Sequence, residues 1–238
     1  MRDIIAAGLE ELGLSQRVPP EAPELLEAYG RALLEKNQVM NLTAITQPDQ
    51  VARLHMLDCA ALLNYVHLEG KTLLDVGTGA GFPGIPLKIA FPHLKITLLD
   101  SLNKRIKFLD EVIRELGLQE IKTIHGRAED FAKQKEYREQ YDLCVSRAVA
   151  NLATLSEYCI PYTKVGGQFI SYKSGEIQEE IDASRKAVSI LGGTVADVVK
   201  FQLPGSDIGR SFVVIKKEKA TAKKYPRKAG LPAKEPLK

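Results

Sequence analysis

Residues 73–84 read Leu73-Leu74-Asp75-Val76-Gly77-Thr78-Gly79-Ala80-Gly81-Phe82-Pro83-Gly84, with three alternate glycines behind an acid and an apolar run. Alternate glycines allow the unusual dihedrals of a tight turn and let a ligand come close to the backbone. The run before them reads as a strand and the residues after them as a helix, which is the setting of a ligand loop at the end of a sheet strand. Two cofactor chemistries fit. A dinucleotide would use Gly79, Gly81 and Gly84 as GxGxxG, with Asp100 on its ribose. S-adenosylmethionine would use Gly77, Gly79 and Gly81 behind Asp75, with Asp100 again on the ribose hydroxyls. A pyrophosphate favours a helix N-terminus without nearby carboxylates, whereas a sulfonium is cationic and accommodates Asp75. Pro83 also removes an amide donor near the place of a pyrophosphate. Charge therefore favours the sulfonium cofactor.

Four further strand ends contribute to the same rim. Asp100 closes one, with Ser101 beside it, and a carboxylate there accepts two ribose hydroxyls or caps the next helix. Gly126-Arg127-Ala128-Glu129-Asp130 follows another, where a backbone amide or Glu129 can meet the edge of a base. Ser146-Arg147-Ala148-Val149-Ala150 ends a third. A guanidinium at Arg147 suits a phosphate or a base edge, and equally a salt bridge to a nearby carboxylate. Lys173 ends a fifth strand on the same rim as a weaker candidate. His55, His67, His93 and His125 are scattered, with no catalytic triad order and no metal-ligand spacing. His55 and Asp58 share a helical face and read as a local hydrogen-bonded pair.

These positions need a sheet to bring them together. Apolar runs at 72–76, 96–99, 121–124, 141–145 and 168–172 read as strands, the last preceded by Gly166-Gly167. Leu102, Ile106, Leu109, Ile113 and Leu116 form a helical stripe, and Ile177, Ile181, Val188 and Leu191 another ending at Gly192-Gly193. Runs at 194–199 and 211–215 have no helix between them and read as an antiparallel hairpin at one edge. Repeated strand–helix units predict an α/β fold with a mostly parallel, doubly wound sheet covered on both faces. Residues 1–66 read as a helical extension, with Leu25, Leu26, Tyr29 and Leu33 at helical spacing, and 67–215 as the sheet domain.

The 238 residues are 45% apolar and 26% charged, ordinary for a globular chain and unlike disorder. Cys59, Cys144 and Cys159 are far apart, which argues for a reducing compartment and against structural zinc. No run reaches the ~18 apolar residues of a membrane span. A cytoplasmic chain is expected, and a monomer because no long exposed apolar face is legible. The net charge of +3 conceals an asymmetry: residues 216–238 carry nine basic and two acidic side chains. Such a tail suits a polyanionic partner.

The chain resembles the family of bacterial ribosomal RNA small-subunit methyltransferase G, also called glucose-inhibited division protein B. The shared residues are Asn37-x-x-x-Asn41-Leu42-Thr43-Ala44-Ile45, His55-x-x-Asp58, the 75–84 loop, Asp100-Ser101-x-x-Lys104-Arg105, Arg127-Ala128-Glu129, Ser146-Arg147-Ala148-Val149-Ala150 and Lys224-Tyr225-Pro226-Arg227-Lys228. Lys36 stands where an aromatic residue is common, and Cys59 where a serine often follows the aspartate. The resemblance implies a Rossmann-like class I S-adenosylmethionine-dependent methyltransferase fold with seven strands. It implies methyl transfer to N7 of a guanine in the 530 loop of 16S rRNA, free or in the small ribosomal subunit. It places Gly77 and Phe82 at the methionine side of the cofactor, Asp100, Ser101 and Leu102 around the ribose and adenine, and Ala128 and Glu129 at the base. Arg147 falls at the cofactor–substrate boundary as the catalytic candidate. Lys173, Lys223, Lys224, Arg227 and Lys228 become RNA contacts, with Tyr225 a stacking group. Such a tail should clamp RNA without affecting the cofactor. An NAD-dependent oxidoreductase and a non-catalytic RNA-binding protein are the alternatives.

Overall fold

The computed structural model describes residues 1–238. Seven strands form one sheet: β1 Thr72–Val76, β2 Lys95–Asp100, β3 Ile121–His125, β4 Tyr141–Arg147, β5 Thr163–Ser174, β6 Gly193–Gln202 and β7 Gly209–Lys217. Their order is β3-β2-β1-β4-β5-β7-β6. Strands β1 to β5 run parallel, while β7 lies antiparallel to both β5 and β6. The direction of winding reverses between β1 and β4, which opens a crevice at the carboxyl ends of those strands.

Side-chain alternation divides the core into two layers. Leu73, Leu143, Val145 and Ile170 pack on one face of the sheet, and Leu74, Val76, Cys144 and Phe169 on the other. Both faces being buried, these strands are nearly continuous apolar runs. The first face is covered by α1 Arg2–Glu11, α2 Ala22–Met40, α5 Gly84–Ala90, α6 Asn103–Glu115 and a helical stretch. That stretch comprises α3 Pro48–Val51, a π-helix Ala52–Leu57, α4 Asp58–Ala60 and a 3-10 turn Ala61–Asn64. Ile5, Leu9, Leu26 and Tyr29 belong to the same buried cluster as the sheet residues, so the N-terminal helices complete the core.

The other face is covered by α8 Leu152–Cys159, α9 Gln178–Ile190 and the C-terminal segment, with α7 Ala128–Phe131 and α10 Leu231–Lys234 beside them. Helix α8 was hidden in the sequence because its first turn follows directly on the strand-end motif. Asn151 caps it, its side chain accepting from the Thr154 amide at 3.0 Å, an arrangement worth about 1 kcal/mol. Strand β5 begins well before residue 168. Gly166, with φ +87°, and Gly167 lie inside it, where the register with β4 shifts. An added Cβ on Gly167 would come within 2.6 Å of the Asp142 carbonyl, which is why glycine occupies the irregularity.

The basic tail is not a free extension. Lys216 and Lys217 belong to β7, so the boundary expected at 216 falls inside a strand. Lys217 is fully buried and donates to the Ile160 carbonyl at 2.8 Å, with Glu139 at 3.1 Å. Arg138 donates to the Thr221 and Tyr225 carbonyls at 2.7 and 2.9 Å, tying the segment to the body. No helix is long and apolar enough to cross a membrane.

Candidate active site at the sheet crevice

The glycine loop is shaped by Asp75 and Asp100. Asp75 is fully buried; its Oδ2 accepts from the Thr78 hydroxyl at 2.6 Å and the Gly84 amide at 2.9 Å. Its Oδ1 has no hydrogen-bond partner. Burial outweighs those two bonds and pushes the carboxyl up to about 7. Asp100 ends β2: its Oδ1 accepts from the Leu102 amide at 2.9 Å, and its Oδ2 from the Gly79 amide at 2.9 Å. Arg105 adds a longer contact of 3.3 Å. Both carboxylates thus hold the loop as well as lining it. Gly77, Gly79 and Gly81 all have positive φ, as alternate glycines predict. A Cβ on Gly79 would meet nothing nearer than the Gly77 carbonyl at 4.0 Å, so one side of the loop is open. At Gly84 a Cβ would fall 2.2 Å from Leu98, because α5 packs tightly on the sheet. The Gly84 amide is given to Asp75, which joins the start of α5 to the end of β1.

Ser101 and Leu102 stand exposed at the crevice rim. Ala128 and Glu129 open α7 beyond β3, but the Glu129 side chain points elsewhere. It is buried, and its Oε1 accepts from the Gly230 amide at 2.7 Å. The structure therefore leaves the backbone of 128–129, rather than that carboxylate, for a base edge.

On the other side of the crevice Arg147 is the centre of a polar network that the sequence did not reveal. Its Nη1 donates to the Leu54 carbonyl and to Asp58 Oδ2, each at 2.9 Å. Its Nη2 lies 2.9 Å from His55 Nδ1. A guanidinium only donates, so Nδ1 is an acceptor and the imidazole is the neutral tautomer with its proton on Nε2. That proton is shared with Thr43 Oγ1 at 2.9 Å. Burial, with Arg147 adding to it, lowers His55 to about 3. Thr43 is held in turn by Asn37, whose Oδ1 accepts from the Leu42 and Thr43 amides at 2.6 and 2.9 Å. The Asn37–Ile45 segment and the His55-x-x-Asp58 motif thus act on one residue, Arg147. His55 and Asp58 do not bond each other; each bonds the arginine instead.

Phe82 packs inside this network. The His55 ring stacks on it at 4.4 Å and the Arg147 guanidinium lies 4.9 Å from its centroid. Tyr29 of α2 reaches the same loop and donates to the Ala80 carbonyl at 2.5 Å. The π-helix presents the Leu54 carbonyl and His55 side by side, a use of irregular helix common at functional sites. Ala148 takes a left-handed φ of 56°, and Val149 lies against Gly77, so the loop after Arg147 closes over the glycines.

Several expected RNA contacts are engaged within the fold. Tyr225 is buried in the second core layer, so its ring is no open stacking face. Arg227 forms a two-pronged pair with the buried Glu157, at 3.0 and 2.7 Å. Lys173 donates to Glu180 at 2.6 Å and to the Ala150 carbonyl at 3.1 Å. Lys223, Lys224 and Lys228 remain exposed. Arg210, which carried no sequence signal, joins the site by facing Asp58 Oδ1 at 3.3 Å. No group of three or more His, Cys, Asp or Glu side chains could hold a metal ion.

Comparison with known proteins agrees with this architecture. The chain is similar to the SAM-dependent methyltransferase from Aquifex aeolicus, with TM-score 0.52, 19% identity, and coverage of 71% of this chain and 93% of that one. It also resembles TYW2 of P. horikoshii in complex with MeSAdo, with TM-score 0.52, 12% identity, and 68% and 61% coverage. At such identities the likeness shows the fold, a Rossmann-like α/β methyltransferase fold. Sequence relatives are nearer. Ribosomal RNA small subunit methyltransferase G of Alkaliphilus metalliredigens is 50% identical over 99% of this chain and 98% of its own length. That of Desulforamulus reducens is 53% identical over 89% and 88%. The family model for rRNA small subunit methyltransferase G matches residues 22–208. On the strength of that match, extending from the N-terminal helices to the last hairpin, the chain belongs to the rRNA small subunit methyltransferase G family.

Proposed function

We propose that the protein methylates N7 of a guanine in 16S rRNA, with S-adenosylmethionine as donor and without a general base. The residues fit that donor. The loop is open over Gly79, and two acidic residues hydrogen-bond it, Asp75 with an orphaned Oδ1 and Asp100 through the Gly79 amide, a setting that suits a cation. When bound, S-adenosylmethionine supplies a methyl group on a positively charged sulfur. Asp100, Ser101 and Leu102 would hold its ribose, the 128–129 backbone its base, and Gly77 with Phe82 its methionine end. For the two ribose hydroxyls to reach Asp100, Arg105 must give up its longer contact.

The target atom is the one the family resemblance implies, and one observation supports transfer without a base. Beside Arg147 the only imidazole is neutral, and both of its nitrogens are engaged, by Arg147 and Thr43. Asp58 lies between two guanidinium groups, and Lys173 is paired with Glu180. No imidazole or ammonium there is placed to remove a proton, which suits a nucleophile that arrives with its own lone pair. Guanine N7, the atom that the family resemblance implies, is of that kind. As the N–C bond forms, the S–C bond breaks and its electron pair stays on sulfur; the base acquires the positive charge. Catalysis then reduces to in-line placement, which the fixed Arg147 network supports. The test uses tritiated methyl transfer to unmodified small-subunit RNA carrying guanine or 7-deazaguanine at the target position. Transfer to guanine and none to 7-deazaguanine is expected. Equal labelling of both RNAs would exclude N7, and no labelling from S-adenosylmethionine would exclude the donor.

A further inference from the structure

We propose that Arg210 is a specificity-determining residue that donates to the O6 carbonyl of a guanine seated in the cavity beside Arg147. This deepens the nucleobase reading above and rests on it. The cavity measures about 320 Å³ and is lined by Leu54, His55, Asp58, Arg147, Tyr172 and Arg210 among others, the lower end of the range for ligand sites. That volume suits one extruded base better than a stack of bases.

A count of donors favours Arg210. Arg147 spends three of its five N–H groups, on Leu54, Asp58 and His55. Lys173 spends two of its three, on Ala150 and Glu180. Arg210 has Nη1 on the carbonyl of Gly209 at 3.2 Å, and Nε facing Asp58 Oδ1 at 3.3 Å. That second contact is one of charge only, since Asp58 Oδ1 receives no hydrogen bond. The Nη2 of Arg210 has no acceptor in the protein. Arg210 therefore keeps one edge of its planar fork for a ligand while Asp58 holds its charge in place. The backbone beneath it is fixed: Arg210 stands in β7, opposite Ser174 of β5 and Phe201 of β6.

The chemistry of the base completes the assignment. When N7 is the nucleophile its lone pair must stay free of the protein, and O6 is the other acceptor on that edge. A donor-only guanidinium matches O6. Adenine presents an amino donor at the same place and would set donor against donor, so one contact both accepts guanine and rejects adenine.

The experiment compares kcat/KM of wild type, Arg210→Ala and Arg210→Lys on RNA bearing guanine or 2-aminopurine, which lacks O6, at the target position. Wild type should lose about tenfold or more when O6 is removed. Arg210→Ala should be slow on guanine RNA and nearly indifferent to O6. Arg210→Lys keeps the charge facing Asp58 and should unfold at the wild-type Tm, yet discriminate less than wild type. An Arg210→Ala enzyme that is slower on both RNAs with its discrimination unchanged would overturn the proposal, leaving a phosphate or structural role. Discrimination by Arg210→Lys equal to wild type would overturn the role of the planar fork. Absence of transfer by wild type to guanine RNA would instead overturn the reaction itself, and this inference with it.

Discussion

At the scale of single residues, two buried ionisable groups, Asp75 and His55, oppose each other in pH. Asp75 titrates at about 7 in the folded protein because burial disfavours its charge. The folded state therefore holds a proton that the unfolded state has lost, and stability falls as pH rises from about 4 to about 7. His55, lowered to about 3 by burial and Arg147, behaves in the opposite sense. The unfolded chain holds the extra proton there, and stability rises with pH from about 3 to about 6.5. The two slopes largely cancel between pH 4 and 6.5. Asp75→Asn keeps an acceptor for Gly84 but cannot ionise. Its unfolding free energy, measured in urea across pH 4–7, should climb with pH where that of wild type stays nearly level. A level profile for Asp75→Asn would show that the two groups do not oppose each other. Arg147 explains why His55 is no base here: a permanent donor on Nδ1 consumes the lone pair that catalysis would need.

At the scale of elements, the N-terminal helices hold the chemistry in place. Helix α2 delivers Tyr29 to the Ala80 carbonyl, and a Cβ on Gly81 would lie 2.8 Å from the same hydroxyl. Helix α2 and its following loop also supply Asn37 and Thr43, so one segment fixes both the glycine loop and His55. Replacing Tyr29 with Phe leaves the buried Ala80 carbonyl without that donor. The loss should cost about 1–2 kcal/mol of unfolding free energy and weaken S-adenosylmethionine binding in calorimetry. Wild-type values for both would separate α2 from the loop's shape. The periodicity of Tyr29 within α2 was legible in the sequence as a core position, but its hydroxyl's partner lies 51 residues away and was not. The π-helix was also hidden, because the pattern of Val51, Leu54 and Leu57 reads equally well as an ordinary α-helix.

At the scale of the whole molecule, the C-terminal segment has two separable parts. Its packing part is Tyr225, Arg227 on Glu157, and Gly230 on Glu129, the last tying it to the loop beyond β3. Its charged part is the exposed Lys223, Lys224 and Lys228. Replacing those three lysines with Gln should leave Tm unchanged and weaken RNA binding. The slope of log K against log salt should become shallower by about two to three. Truncation after Lys217 should lower Tm as well, because it strips partners from Arg138 and Glu157. A triple variant with the salt dependence of wild type would take the tail lysines out of RNA contact. The earlier expectation that the tail acts on RNA alone is thus replaced by one in which only its exposed cations do so.

What the sequence determined by itself was local: apolar strand runs at 72–76 and 141–145, positive-φ turns demanded by Gly77, Gly79 and Gly81, and a carboxylate at the end of β2. Each is set by neighbours a few residues apart, where sterics and periodicity operate. The tertiary structure alone decided which side chains meet across the sheet. Arg147 finds His55 across 92 residues, Arg227 finds Glu157 across 70, and Gly230 finds Glu129 across 101. A charged side chain declares no partner in its own segment, because the choice depends on which strand ends the winding of the sheet brings together.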